Sequence, residues 1–182
     1  MLRDGAAQLN WLNAGAVCLN FNLRRTSRAV TQYYDEALKP TGVKVTQFTI
    51  LIAIASQSVG AQTKQSLPVL SGKGAQAKPY GAGCSAGGSI TDIARLAMVD
   101  RTTLTRSLRI LEQDKLIEIR KAQPGNKRRV LITPKGVQKM KEIYPYWFRA
   151  QRALVKKFSP VKTRELRRLL RDIKNSAEAL HG

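Results

Sequence analysis

Thr102, Arg106 and Arg109 recur at spacings of four and three, so on an α-helix they share one face. Arg101, Thr103 and Thr105 lie on its flanks and at its N-terminal end. An arginine can donate two parallel hydrogen bonds to guanine O6 and N7. A threonine hydroxyl can bond a phosphate or a base edge, and its methyl can contact thymine. On the opposite side Leu104, Leu108 and Leu111 recur at i, i+4 and i+7 and must meet a core. A solvated amphipathic helix would show the same two faces, so the neighbouring sequence has to decide. Close by, Arg120, Lys121, Lys127, Arg128 and Arg129 flank Pro124-Gly125-Asn126. Five cations around turn residues suit a phosphate backbone or a minor groove.

The elements that would hold these groups are legible around them. Ser89 and Asp92 start a short helix, and Ile93, Leu96 and Ala97 are predicted to form its buried face. A turn falls near Met98-Val99, and Asp100 is placed to cap the second helix. Ile117 and Ile119, then Val130 and Ile132, alternate with polar residues and predict a two-stranded hairpin. Thr133-Pro134 has the cap and first residue of another helix. Helix, turn, helix and basic hairpin in this order form the layout of a winged helix-turn-helix, which sets one helix in the DNA major groove.

Upstream, residues 1–16 are weakly patterned, with Trp11 and Leu12 the candidates for packing. Cys18 to about Leu38 is helical by periodicity, with Leu19, Leu23, Val30, Tyr34 and Leu38 near one face. Lys39-Pro40-Thr41-Gly42 stops it. Thr46 is expected to cap the next helix, whose body of Phe48, Leu51, Ile52 and Ile54 reads as central core. Residues 57–88 are rich in Gly, Ala, Ser and Gln, carry Lys64, Lys73 and Lys78, and have no acidic residue. That composition predicts a flexible insert, with a basic flap as the functional alternative. Downstream, Val137, Met140, Tyr144, Trp147, Leu154 and Phe158 mark a long helix that Pro145 should kink or interrupt. After Ser159-Pro160, Leu166, Leu169, Leu170, Ile173, Ala177 and Leu180 mark a last amphipathic helix. These two helices carry more apolar surface than a small core can cover, which predicts a homodimer.

The stretch resembles the MarR (multiple antibiotic resistance regulator) family of bacterial transcription factors. The resemblance is carried by Asp100-Arg101-Thr102-Thr103-Leu104-Thr105-Arg106, Leu111-Glu112, Leu116-Ile117-Glu118 and Leu131-Ile132-Thr133-Pro134-Lys135-Gly136. Phe21-Asn22-Leu23-Arg24-Arg25 through Thr46-Gln47-Phe48 is similar to the family's first two helices. It implies a mainly α fold with a small β-hairpin wing. A winged helix-turn-helix core would span 44–133, with the insert at 57–88 taking the place of a short connection. Dimerisation helices would span 17–40 and 134–182. It also implies a palindromic operator, repression by occupancy, and release by a small-molecule effector or an oxidant. The implied DNA-binding residues are Arg101, Thr102, Thr103, Thr105 and Arg106 on the recognition helix, with Lys127, Arg128 and Arg129 on the wing. Family wings often carry Asp-x-Arg at the tip, where this chain has Asn126-Lys127-Arg128. Arg128 is the best match and Arg129 the alternative, and the strand after the tip reads as short. In the hydroperoxide-sensing branch a reactive Cys directly precedes the first-helix Phe. Here Asn20 does, and Cys18 lies two residues earlier, so that role does not carry over by position. Cys18 is either a redox thiol near Arg24 and Arg25 or, as expected, a buried inert one.

The charge agrees with a polyanion partner. The chain has 32 Lys and Arg against 12 Asp and Glu, a formal net charge of +20. A sequence-nonspecific ribosomal or nucleoid protein is the alternative that charge alone would allow. The lone histidine, His181, supports neither a catalytic triad nor zinc spacing, and no Gly-Lys-Ser/Thr phosphate loop is present. No enzyme, cofactor or metal site is therefore expected. Two cysteines, no secretory or transit pattern and no long apolar run point to the cytosol and away from a membrane.

Overall fold

The structure is a computed structural model that describes residues 14–59, 88–122 and 127–180. Within them the order is α1 (Ala14–Val17), α2 (Leu19–Leu38), a 3-10 turn (Lys39–Thr41), α3 (Val45–Val59), β1 (Gly88–Ser89), α4 (Ile90–Ala97), α5 (Arg101–Gln113), β2 (Ile117–Ala122), β3 (Lys127–Ile132), α6 (Pro134–Phe158) and α7 (Pro160–Ala179). This is a mainly helical winged-helix architecture with one small antiparallel sheet, as expected.

The hub of the core is α3. Seven of its fifteen residues are β-branched, which disfavours an isolated helix, so burial must hold it. It packs against α2, α4, α5, α6 and β3. Ile50, Leu51 and Ile54 are fully buried there, with Leu38, Ile93, Leu104, Leu111, Val130 and Ile143 around them. The helix starts one residue before the expected cap, so Thr46 lies in its first turn. Its first amide is taken by another helix, where Asp35 Oδ1 of α2 accepts from Val45 N at 2.7 Å, and Gln47 Oε1 reaches back from inside α3 to accept from Lys44 N at 2.8 Å. Pro40 and a left-handed Gly42 (φ 70°) stop α2 as predicted.

The sheet has three strands in the order β1-β3-β2, one more than the expected hairpin. β3 is six residues long, the same as β2, so it is not short. Gly88 pairs with Val130 and Ser89 with Arg129. Two residues with no apolar side chain carried no strand signal, and only the edge of β3 reveals them. Most of the 57–88 insert, with its lysines and Cys84, lies outside the described residues, as do Trp11, Leu12, Pro124-Gly125-Asn126 and His181. The ends of that stretch are ordered: α3 runs through Val59 and Gly88 opens the sheet.

α6 runs through Pro145 as one helix, so of the two outcomes expected there the interruption does not occur. Lys141 and Pro145 are both exposed, so the carbonyl that loses its partner can turn to water. Leu96 on α4 is exposed, and only Ile93 and Ala97 of that predicted face are buried, because the core face of α4 runs through Ile90, Ile93, Ala94 and Ala97 and Leu96 lies to one side of it.

α2 and α6 are tied by the Tyr33 hydroxyl, which donates to Ala150 O at 3.0 Å, and by that of Tyr34, which donates to Gln151 Oε1. Burial, with Tyr33 second, raises the Tyr34 pKa. α7 packs mainly on α6 and has no buried residue. Leu166, Leu169 and Leu170 on it are exposed, as are Val17, Leu19 and Phe21 near the other end of the chain.

Candidate nucleic-acid interface

The α4–α5 corner is held by side-chain caps at both helix starts. Ser89 Oγ accepts from Asp92 N at 3.1 Å and donates to Asp92 Oδ2 at 2.6 Å. Met98 turns the chain in the left-handed region (φ 51°). Asp100 Oδ1 accepts from Thr103 N at 2.8 Å, and its Oδ2 accepts from the Thr103 hydroxyl at 2.6 Å. The Thr103 hydroxyl bond, then the backbone one, holds the Asp100 carboxyl below its ordinary value of 3.8. This cap is therefore complete above that ordinary value and is lost as pH falls through the lowered one.

The cap fixes which α5 side chains are available. Leu104, Leu108 and Leu111 are buried as predicted. Arg101, Thr102, Thr105, Arg106 and Arg109 line one open, exposed surface. Arg109 completes it, and its i+7 spacing from Thr102 was readable in the sequence, although it stood outside the expected site residues. Thr103 is half-buried beside them, with its hydroxyl donating to Asp100 Oδ2. Thr105 is exposed and its hydroxyl donates to Arg101 O at 2.8 Å, which leaves the oxygen able to accept. Arg101, Arg106 and Arg109 form no ion pair with any described carboxylate, so all three guanidinium groups are free to donate.

The wing carries like charges directly across its ladder. Arg120 faces Arg129 and Lys121 faces Arg128. Such pairs destabilise a sheet unless something offsets them. Glu118 does so on one strand: its two carboxylate oxygens accept from Arg120 at 2.7 and 2.8 Å. This bidentate contact raises the Arg120 pKa and lowers that of Glu118, hydrogen bonding being the larger cause for each. Two residues apart on a strand share a face, so the Glu118–Arg120 pair has a signal in the sequence. Lys121 and Arg128 stay exposed with no carboxylate partner among the described residues. Lys127 pairs with Ala122 at the end of the ladder.

The base of the wing is locked to the start of α6. Thr133 Oγ1 accepts from Gly136 N at 3.0 Å and donates to Lys115 O at 2.8 Å. Thr133 N donates to Leu116 O at 3.0 Å. Thr133→Ala removes the cap and the bond to the α5–β2 turn together, and should lower stability by about 1–2 kcal/mol in a urea melt.

Cys18 is exposed, not buried as expected. It sits at the break between α1 and α2 in extended backbone, at the N-cap position, where no core element covers it. The Asn22 amide spans that break, donating to Gly15 O, Ala16 O and Cys18 O at 3.3, 3.1 and 3.0 Å.

No protein-family model matches the chain, and no curated protein matches it. Solved structures do. The M. tuberculosis transcriptional regulator MosR in complex with DNA is 25% identical, with a TM-score of 0.64 over 89% of this chain and 97% of that one. Bordetella bronchiseptica BpsR, whose DNA binding is regulated by 6-hydroxynicotinic acid, is 16% identical, with a TM-score of 0.65 over 88% and 96%. A MarR-family transcriptional regulator from Rhodococcus sp. RHA1 is 16% identical, with a TM-score of 0.62 over 85% and 91%. These neighbours are regulators rather than enzymes, and among the described residues no helix is long and apolar enough to cross a membrane. In fold and in the order of its elements the chain is similar to these regulators, a winged helix-turn-helix with a cationic α5 and wing.

Proposed function

We propose that the chain binds duplex DNA in the cytosol as a homodimer and represses transcription by occupying a palindromic operator. α5 enters the major groove, and Lys121, Arg128 and Arg129 of the wing follow the adjacent backbone or minor groove. Lys127 belongs to the same strand. The observation that carries this reading is the α5 surface of Arg101, Thr102, Thr105, Arg106 and Arg109, exposed and unpaired with any described carboxylate on a helix whose other side is core. Selection of bound genomic fragments with purified protein tests it. A salt titration on the selected and scrambled duplexes should leave a specificity ratio of about 10³ or more. A bare salt slope, equal on both, would favour the nonspecific alternative.

The homodimer reading rests on α7. A twenty-residue helix with no buried residue has little stability by itself, and its leucines need a cover. The exposed Val17, Leu19 and Phe21 are the complementary surface. Removal of residues 160–182 should yield monomers or aggregates in sedimentation, where the intact chain sediments as a dimer. An intact chain that is monomeric at micromolar concentration would count against this reading. Likeness to BpsR, whose DNA binding is regulated by 6-hydroxynicotinic acid, supports a small-molecule effector.

A further inference from the structure

The charge is not concentrated where the DNA-reading unit lies. Residues 88–133 hold ten Lys and Arg against five Asp and Glu, whereas residues 134–182 hold thirteen against four. On α7 Arg164, Arg167, Arg168 and Arg171 recur at i, i+3, i+4 and i+7, which puts them on one face. All four are exposed, and none pairs with Glu165, Asp172 or any other described carboxylate. The only ion pair on α7 lies beyond them, between Lys174 and Glu178 at 2.8 Å. The ridge faces away from Leu166, Leu170 and Ile173, so a partner that covers those leucines leaves it in solvent.

We propose that this arginine ridge is a second nucleic-acid surface, gripping the phosphate backbone of a duplex other than the one that α5 reads. Like charges at these spacings repel each other along a helix, and a polyanion removes that penalty. The groups are guanidinium, which bind phosphate oxygens in pairs. From Arg164 to Arg171 the helix rises roughly 10 Å, and a duplex presents one phosphate charge per about 1.7 Å of axis. Several phosphates therefore lie within reach of four arginines. α5 docks on α3 and β2, while α7 packs mainly on α6, so the two cationic faces are built on different parts of the fold. An anionic membrane is the less fitting partner, because an interfacial helix needs its apolar face free to enter the lipid. The proposal goes beyond operator reading: one dimer would hold two segments of DNA.

The test uses the full chain and two mixed-sequence 40-base-pair duplexes, one on beads and one fluorescent. Wild-type protein loaded on the beads should capture the fluorescent duplex. R164Q/R167Q/R168Q/R171Q should keep its affinity for a single duplex within about threefold yet lose at least about tenfold in capture. The matching Arg→Lys variant should recover most of the capture. In the background R101A/R106A/R109A, duplex binding should persist with a salt slope near −0.9 per phosphate held, and should fall at least about tenfold further when the ridge is also changed, to what the wing alone holds. Failure of the α5 reading looks different: R101A/R106A/R109A would then lose nothing, whatever the ridge does. The proposal is overturned by wild-type beads that capture no second duplex, by a ridge variant that captures like wild type, or by one that sediments as a monomer. It is equally overturned if the ridge matters only for binding to phosphatidylserine-containing vesicles.

Discussion

Gly136→Ala is expected to destabilise the chain by about 3 kcal/mol, the upper range for overpacking a closed site. Gly136 is buried in the first turn of α6. A Cβ there would lie 2.1 Å from Leu116 O, 2.8 Å from Ile132 Cγ1 and 3.0 Å from Leu116 C. Two of these three atoms are backbone, so no rotamer change relieves the clash. Leu116 O is also the acceptor for Thr133 N, and moving it unlocks the base of the wing from α5. A urea melt should show the loss at an unchanged slope. DNA binding should weaken beyond what the unfolded fraction explains, since β3 leaves its register with the core. A variant that melts with the wild type would mean that α6 docks more loosely than this contact requires.

Arg106→Ala should cost about 1–3 kcal/mol at the selected site and relax preference at one position per half-site, if its guanidinium pairs with a base. Its placement favours that outcome. It lies in the middle of the exposed α5 surface and opposite the buried leucines, with no carboxylate to hold it back. Circular dichroism and the melting midpoint should match wild type, because the side chain supports no packing. Arg128→Ala is the contrast. It should weaken all sequences alike and reduce the salt slope by about one, the mark of a phosphate contact. A narrow A·T-rich minor groove that takes the side chain would add sequence preference to that loss. Unchanged binding in both variants across a salt series would remove α5 and the wing as the reading elements.

The sequence by itself determined the architecture wherever a pattern repeats or a cap has a side chain of its own. Leu104, Leu108 and Leu111 set the inner face of α5, Asp100 and Ser89 set the two helix starts, and Ile117, Ile119, Val130 and Ile132 set the sheet pairing. Each is a local rule, readable within one turn of helix or one pleat of strand. Tertiary structure decided what depends on distant neighbours. β1 exists because the edge of β3 has open hydrogen-bonding groups, and Gly88-Ser89 alone signals nothing. α3 starts at Val45 because Asp35, ten residues earlier on another helix, takes its amide. The Thr103 hydroxyl is held by Asp100, and Arg109 is exposed on the same side of α5 as Thr102 and Arg106. Cys18 is exposed because the chain breaks between α1 and α2, a break no periodicity marks. Gly136 is a closed site only because Leu116, twenty residues away, docks on it. Periodicity fixes which face of an element is apolar; contact with another element fixes where it starts, what it leaves bare and which polar groups remain free to bind.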